Sequence, residues 1–231
     1  MTREVKASTG VEGLDDILGG GLTTGHAFLL EGTPGTGKTT IALSFMRSGA
    51  GEPGLYITLS ETEDELRAGA ASHGWTLGDN ITVFELSPPE DVLNGSQQQS
   101  LLYSSDLELG ETTSAILRTI ERIRPSRIVI DSLSEIRLLA QSSLKYRRQL
   151  LALKHFFAQH GATVLLLDDR TSEISDKTAH SIVHGVIQLE ELAPNYGAER
   201  RRIRIIKYRG MRYRGGYHDF TIQRGGVSVF P

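Results

Sequence analysis

A lysine and a threonine closing a glycine-rich run are the side chains of a phosphate cradle. The chain carries that arrangement at Gly32-Thr33-Pro34-Gly35-Thr36-Gly37-Lys38-Thr39, which fits G-x-x-x-x-G-K-[ST]. Glycines let the backbone curl until successive N–H groups point inward at a polyphosphate. A helix starting there adds the positive end of its dipole. In this chemistry the Lys38 ammonium reaches the β- and γ-phosphates, and the Thr39 hydroxyl ligates Mg²⁺. Thr33, Pro34, Gly35, Thr36, Gly37 and Thr40 supply the remaining expected contacts. Two carboxylates stand where they can join the site. Asp131 ends the apolar run Ile128-Val129-Ile130, where an acid holds the magnesium's water shell beside Thr39. Glu61 follows the run Gly54–Leu59, at a strand's carboxyl end, where open α/β sheets place their chemistry. It is the candidate base. The spacing implies a nucleoside triphosphate site with a magnesium ion.

The elements that must position these residues read as α/β. His26–Leu30 is a buried strand and Thr39–Met46 a helix, so the glycine-rich run sits in the strand–loop–helix context it needs. Leu14, Ile17 and Leu18 mark a short amphipathic helix stopped by Gly19-Gly20-Gly21. Thr62 is a helix N-cap, with the acids behind it complementing the dipole. Further strands are expected at Ile81–Leu86 and Ala162–Leu167. A long polar loop is expected from Ser87 to Gly110, a helix from about Thr112 to Ile123, and helical material from Leu133 to His160. From His184 onward short strands with Gly-Gly turns suggest an antiparallel extension on the sheet edge. The expected fold is one domain over residues 1–231: a mostly parallel twisted sheet flanked by helices, with a C-terminal antiparallel β extension.

Composition narrows the class. The chain has 231 residues, 39% hydrophobic and 23% charged, ordinary values for a soluble globule. No apolar run approaches the roughly 18 residues of a membrane helix, and the first residues lack the apolar core of a signal peptide. The expected compartment is the cytoplasm, with no membrane partner. Cysteine is absent, which excludes thiol nucleophiles and thiolate metal sites. His180 and His184 have helical metal-pair spacing, but no third ligand follows, which favours hydrogen-bonded or solvent-facing histidines.

The net charge of −3 argues against whole-surface attraction to nucleic acid, yet the charge is uneven. Four carboxylates fall between Glu61 and Glu65, and eight basic residues between Arg200 and Arg214. Lys207 and Arg209 lie at i and i+2 on an expected strand and share a face. They are either a solvated edge or nucleic-acid surface, or cations for a leaving γ-phosphoryl supplied to the adjacent subunit of a ring. Sequence pattern alone leaves both open.

The chain resembles the KaiC family of RecA-like P-loop ATPases over nearly its whole length. The resemblance rests on Ser8–Asp15 (STGVEGLD), Gly19–Leu22, the phosphate loop, Ser60-Glu61, Ile130–Ser132, Lys207–Gly210 (KYRG) and the final Phe230-Pro231. It implies a homo-hexameric ring with ATP and Mg²⁺ between subunits, slow hydrolysis, and a regulatory or signalling role with a signalling-protein partner. It implies that Lys207, Tyr208 and Arg209 contact the neighbour's nucleotide, and that Ser72 contacts the base. The family carries paired glutamates after the second strand; here the pair is Ser60-Glu61, leaving Glu61 to activate water. Met211, Tyr213, Gln223 and Arg224 depart from the family's Thr, His, Thr and Asp. His180-Ser181 stands where the self-phosphorylating domain has an adjacent Ser-Thr pair, which tells against autokinase activity. Family members with two such domains exist, so this chain is a stand-alone relative or half of a tandem protein. A nucleic-acid-dependent motor and a nucleotide-gated scaffold are the alternative functions; the acidic stretch Asp168–Asp176 offers no single-strand platform.

Overall fold

Six neighbouring parallel strands, the inner four buried along nearly their whole length, form the frame of the computed structural model. It describes residues 5–86, 101–170, 177–193 and 196–231, with the backbone alone for 101–108. The strands are β1 (Lys6–Ala7), β2 (Leu22–Thr23), β3 (Ala27–Gly32), β4 (Gly54–Thr58), β5 (Ile81–Glu85), β6 (Arg127–Asp131), β7 (Thr163–Asp169), β8 (Gly185–Leu192), β9 (Arg200–Tyr208), β10 (His218–Gln223) and β11 (Gly226–Phe230). The large sheet has the order β11-β10-β9-β8-β3-β7-β6-β4-β5. From β8 to β5 every ladder is parallel. β9, β10 and β11 add on antiparallel. This is the RecA-like α/β fold with its C-terminal β extension, as the sequence predicts.

Strand alternation divides the core. Phe28, Leu30, Tyr56, Val129, Leu165 and Leu167 pack toward α1 (Glu12–Ile17), α2 (Lys38–Ser48) and α3 (Glu63–Ser72). Ala27, Leu29, Leu55, Ile57, Ile130, Val164 and Leu166 pack toward α4 (Leu101–Ile123), α5 (Leu133–Ala140), α6 (Ser143–Gln159) and α7 (Thr178–Ile182). Because side chains alternate with period two, the two sides receive different polar residues at the strand ends, and this organises the site.

One expectation changes, and another gains detail. The loop expected to run to Gly110 gives way to helix, since α4 already begins at Leu101; its earlier part, residues 87–100, lies outside the described residues. Leu109, Ile116 and Ile120 are buried on one face of α4 while Gly110 faces solvent. A solvent-side glycine costs a helix only about 1 kcal/mol, which that packing outweighs. The helical stretch after Asp131 is two helices. Gln141 turns left-handed with φ 53°, and the Ser142 hydroxyl accepts the Lys145 N–H at 3.2 Å to cap α6. The N-cap at Thr62 forms as expected, as a capping box with Glu65.

The arginines at the start of β9 have structural partners. Arg200 meets Asp219 at 2.6 Å, Arg201 meets Glu191 at 3.2 Å and Arg202 meets Glu190 at 2.6 Å. These cross-strand pairs use up much of the basic cluster. Tyr208 needs a correction. Expected at a nucleotide, its side chain is buried, and its hydroxyl accepts from Lys6 Nζ at 2.6 Å and Thr23 N–H at 2.8 Å while donating to the Gly21 carbonyl at 3.0 Å. It pins β9 to the N-terminal cap inside its own protomer. Tyr208→Phe leaves buried partners unsatisfied and is expected to lower stability by about 1–3 kcal/mol in urea unfolding, with nucleotide affinity unchanged.

Candidate nucleotide site

The phosphate loop begins where buried β3 ends. Thr33, Pro34 and Gly35 are exposed, and Thr36 is buried with its hydroxyl donating to the Thr33 carbonyl at 2.8 Å. Gly37 has φ 99°, and a Cβ there would stand 2.4 Å from Ile222 Cδ1. Only glycine lets the loop turn this tightly beneath β10. Lys38, at the first turn of α2, is buried. Its ammonium donates to the Gly32 and Thr33 carbonyls at 3.0 Å each and meets Asp169 Oδ1 at 2.7 Å.

Asp131 ends β6 on the α2 side. Its Oδ2 accepts the Tyr56 hydroxyl at 2.7 Å, and the Thr39 hydroxyl at 3.5 Å. Burial pushes the Asp131 carboxyl above its usual range; Asp169 adds to that, while Tyr56, Lys38 and Thr39 oppose it. Glu61 lies beyond β4, anchored through its backbone: its N–H donates to Thr58 Oγ1 at 2.9 Å, and that hydroxyl donates to the Glu61 carbonyl at 2.7 Å. Burial raises its carboxyl as well, followed by the charges of Asp131, Glu65 and Asp169. Several carboxylates thus converge on one lysine, and a cation is the natural complement. Thr39 and Asp131 present hard oxygens close together, which fits Mg²⁺, an ion that takes few protein ligands and fills its shell with water and phosphate oxygens. Among the described residues no cluster of three or more His, Cys, Asp or Glu could hold a metal, so the donor set is this sparse one. The histidine metal pair is not formed: α7 ends at Ile182, before His184, and His180 pairs instead with Glu31.

Tyr56 and Asp169 were not picked out in the sequence. Tyr56 sits inside an apolar strand, and only the parallel register that sets Thr58 beside Asp131 brings its hydroxyl to the site. Asp169 carried a faint signal as an acid ending a buried strand, and the pairing of Gly32 with Asp169 sets it against the loop. Ser72, expected at the base, is exposed at the end of α3 and donates to its own Gly69 carbonyl at 2.7 Å. Its neighbour His73 is what bridges the elements here, with Nε2 3.4 Å from Thr40 Oγ1 and Nδ1 3.1 Å from the Gln223 carbonyl.

Lys207 and Arg209 lie elsewhere. The Arg209 N–H donates to the His184 carbonyl, and the His184 N–H to the Ala27 carbonyl, so Arg209 is level with the start of β3. Lys207 pairs with Val186, which pairs with Leu29, so it is level with the middle of β3, while the loop follows the strand's end. Between Val186 and Ile187 the β8–β9 register slips by a bulge that leaves Ile206 unopposed. Ile206 packs on the α4–α7 side. Lys207 joins it there, donating to the His180 carbonyl, and Arg209 donates to the Ser181 carbonyl at 2.6 Å. Bulges re-aim side chains in this way. Lys207 is lowered to about 8, by burial first and then by the charges of Arg209 and Lys154. Among the described residues no carboxylate forms an ion pair with Lys207 or Arg209.

Sheet order, phosphate loop and strand-end acids define a RecA-like P-loop ATPase domain. A family model described as "ATPase: KaiC" matches residues 7–231, and the chain belongs to that family. It is similar to the circadian clock oscillator protein KaiC of Parathermosynechococcus lividus, at 31% identity over 98% of this chain and 42% of that protein. The KaiC of Synechococcus elongatus also matches at 31% over 98% of this chain and 44% of the relative. The circadian clock protein KaiC2 of a Synechocystis strain matches at 28%, over 98% and 40%. The chain thus spans less than half the length of these relatives. No helix among the described residues is long and apolar enough to cross a membrane.

The raised Asp131 carboxyl sets a pH dependence. The folded chain holds that proton to higher pH than the unfolded chain, so stability falls as pH rises from about 4, the ordinary carboxylate value, through the raised one. Asp131→Asn is expected to make this fall shallower and to match or exceed the parent's melting temperature at pH 7. Thermal melts across pH without nucleotide check it.

Proposed function

We propose that this chain is an ATP-binding, slowly hydrolysing subunit of a KaiC-type ring, with ATP held between protomers. One observation carries the reading. The loop, Thr39, Asp131 and Glu61 gather at one end of the sheet, while Arg209 lies level with the other end of β3 and Lys207 level with Leu29 in its middle, both two strands away on β9 or just past it. Three residues along β3, roughly 10 Å, and two strand spacings across the sheet, roughly 5 Å each, separate Lys207 from Gly32, more than a lysine side chain spans, and Arg209 lies farther along. A protomer does not bring these cations to its own γ-phosphate; a neighbour stacked head to tail does. The acids from Glu61 to Glu65 beside one site, and cations on the opposite edge that form no ion pair among the described residues, make complementary faces for that stacking.

In this reading the loop N–H groups and Lys38 hold the triphosphate. Thr39 and Asp131 would hold Mg²⁺, which would supply positive charge against the triphosphate. Glu61, its basicity raised by burial, orients a water and takes its proton as the water oxygen attacks the γ-phosphorus. The bond from that phosphorus to the bridging oxygen breaks, and ADP leaves with the electron pair. Lys207 and Arg209 of the adjoining protomer stabilise the charge on the departing phosphoryl group. Ser60 in place of a second glutamate, with Glu61 left as the one base, is consistent with slow turnover, which suits regulation or signalling better than a motor. The ion-paired Arg200, Arg201 and Arg202 weaken the nucleic-acid reading.

Glu61→Gln is expected to retain ATP binding and lose about 10²–10⁴-fold in turnover, measured by phosphate release beside binding of a fluorescent ATP analogue. Arg209→Ala and Lys38→Ala are each expected to be nearly inactive alone and to regain hydrolysis when mixed, because one supplies an intact loop and the other intact cations. No recovery on mixing excludes action in trans.

A further inference from the structure

Glu31 and His180 form a pair that the proposed hydrolysis does not use. Glu31 directly precedes Gly32 on β3, is buried, and by alternation faces the α4–α7 side rather than the phosphates. Its Oε2 lies 2.7 Å from His180 Nε2, and this contact fastens α7 to the strand that feeds the loop. The same short helix holds both trans cations: Lys207 donates to the His180 carbonyl and Arg209 to the Ser181 carbonyl. Arg147 of α6 donates to Ser181 Oγ at 3.0 Å, and the adjacent Lys154 repels Lys207. The cations therefore crowd one another, and the α7 carbonyls are the acceptors that hold their two heads at the edge. Carbonyls closing a helix carry the negative end of its dipole, so the placement of α7 decides where the charges point.

We propose that Glu31 and His180 are positioning residues for Lys207 and Arg209: by seating α7 they set the aim of the cations offered to the neighbouring protomer and tie that aim to the strand ending in the protomer's own phosphate loop. This rests on the trans reading given above. It adds a route by which occupancy of one site can bear on the next, because β3 touches the loop at one end and α7 at its side.

The test follows turnover and complementation together in the full chain. His180→Ala is expected to bind a fluorescent ATP analogue as the parent does and to lose about 10- to 100-fold in turnover, the scale of an ångström-level misplacement. His180→Gln, which presents an amide N–H near the Nε2 position, is expected to restore most of it. The decisive readout is the mixture. His180→Ala mixed with Lys38→Ala should regain hydrolysis, and mixed with Arg209→Ala should not. Recovery with Arg209→Ala instead would place the defect in the variant's own loop and overturn the proposal. So would unaltered turnover in His180→Ala, or recovery with neither partner. Should the alanine variant not fold, His180→Asn, whose shorter amide falls short of Glu31, carries the same mixtures. The Arg209→Ala and Lys38→Ala mixture is the control: its failure removes the trans reading and this proposal with it, whereas failure confined to the His180 mixtures removes the proposal alone.

Discussion

The ammonium of Lys38 is the point on which the carboxyl edge of the sheet is balanced. It is buried, held by two loop carbonyls, and meets Asp169, while Asp131 and Glu61 repel each other nearby. Buried like charges are unfavourable unless something neutralises them. A single lysine offsets only part of that charge, which leaves the edge short of positive charge in the space over the loop. The remaining geometry follows from that imbalance. Thr39 Oγ1 and Asp131 Oδ2 stand 3.5 Å apart, and the exposed Thr33, Pro34 and Gly35 leave the space over the loop open.

The parallel strands turn this local chemistry into a two-sided arrangement. Along β3, Phe28 and Leu30 face α2, while Ala27, Leu29 and Glu31 face the α4–α7 layer. Next door, Asp169 serves the α2 side, and Asp168 points to the other, where Arg137 meets it at 2.5 Å. One sheet edge thus carries a tier gathered around Lys38 and a scaffolding tier a single residue apart. Burial raises the Asp168 carboxyl and Arg137 counters it, a buried ion pair in a conventional structural setting. Asp131, by contrast, has the hydroxyls of Tyr56 and Thr39 and a more distant lysine, and among the described residues it forms no ion pair.

What could be read from residues alone tracks how local each feature is. The phosphate loop, the buried strands and the Thr62 cap depend on neighbours within a few positions, and the structure has them in place. The start of α4 was misplaced because Gly110 reads locally as a stop, while the burial that overrides it comes from distant strands. Tyr56 and Glu31 were missed for a related reason: a polar residue in a buried strand has no meaning until register supplies its partner. Tyr208 shows the opposite error, since it lies between two cations of one motif yet its ring belongs to the other side of the sheet. Arg200, Arg201 and Arg202 looked like an unassigned basic surface until β8 and β10 brought carboxylates across the ladder.

The irregularity at Ile206 accounts for that last separation. Were Ile206 paired in a regular ladder, strict alternation would put Lys207 on the same side as Ile205, in the core under α2, and send Tyr208 outward. A single surplus peptide unit therefore acts as a phase shift, exchanging the fates of an aromatic anchor and a charged arm. The way the ladder absorbs that residue, rather than the identity of any side chain, then decides which surface bears the charge. A relative spelling the same Lys-x-Arg letters without that offset would carry an intact word with its meaning turned inward.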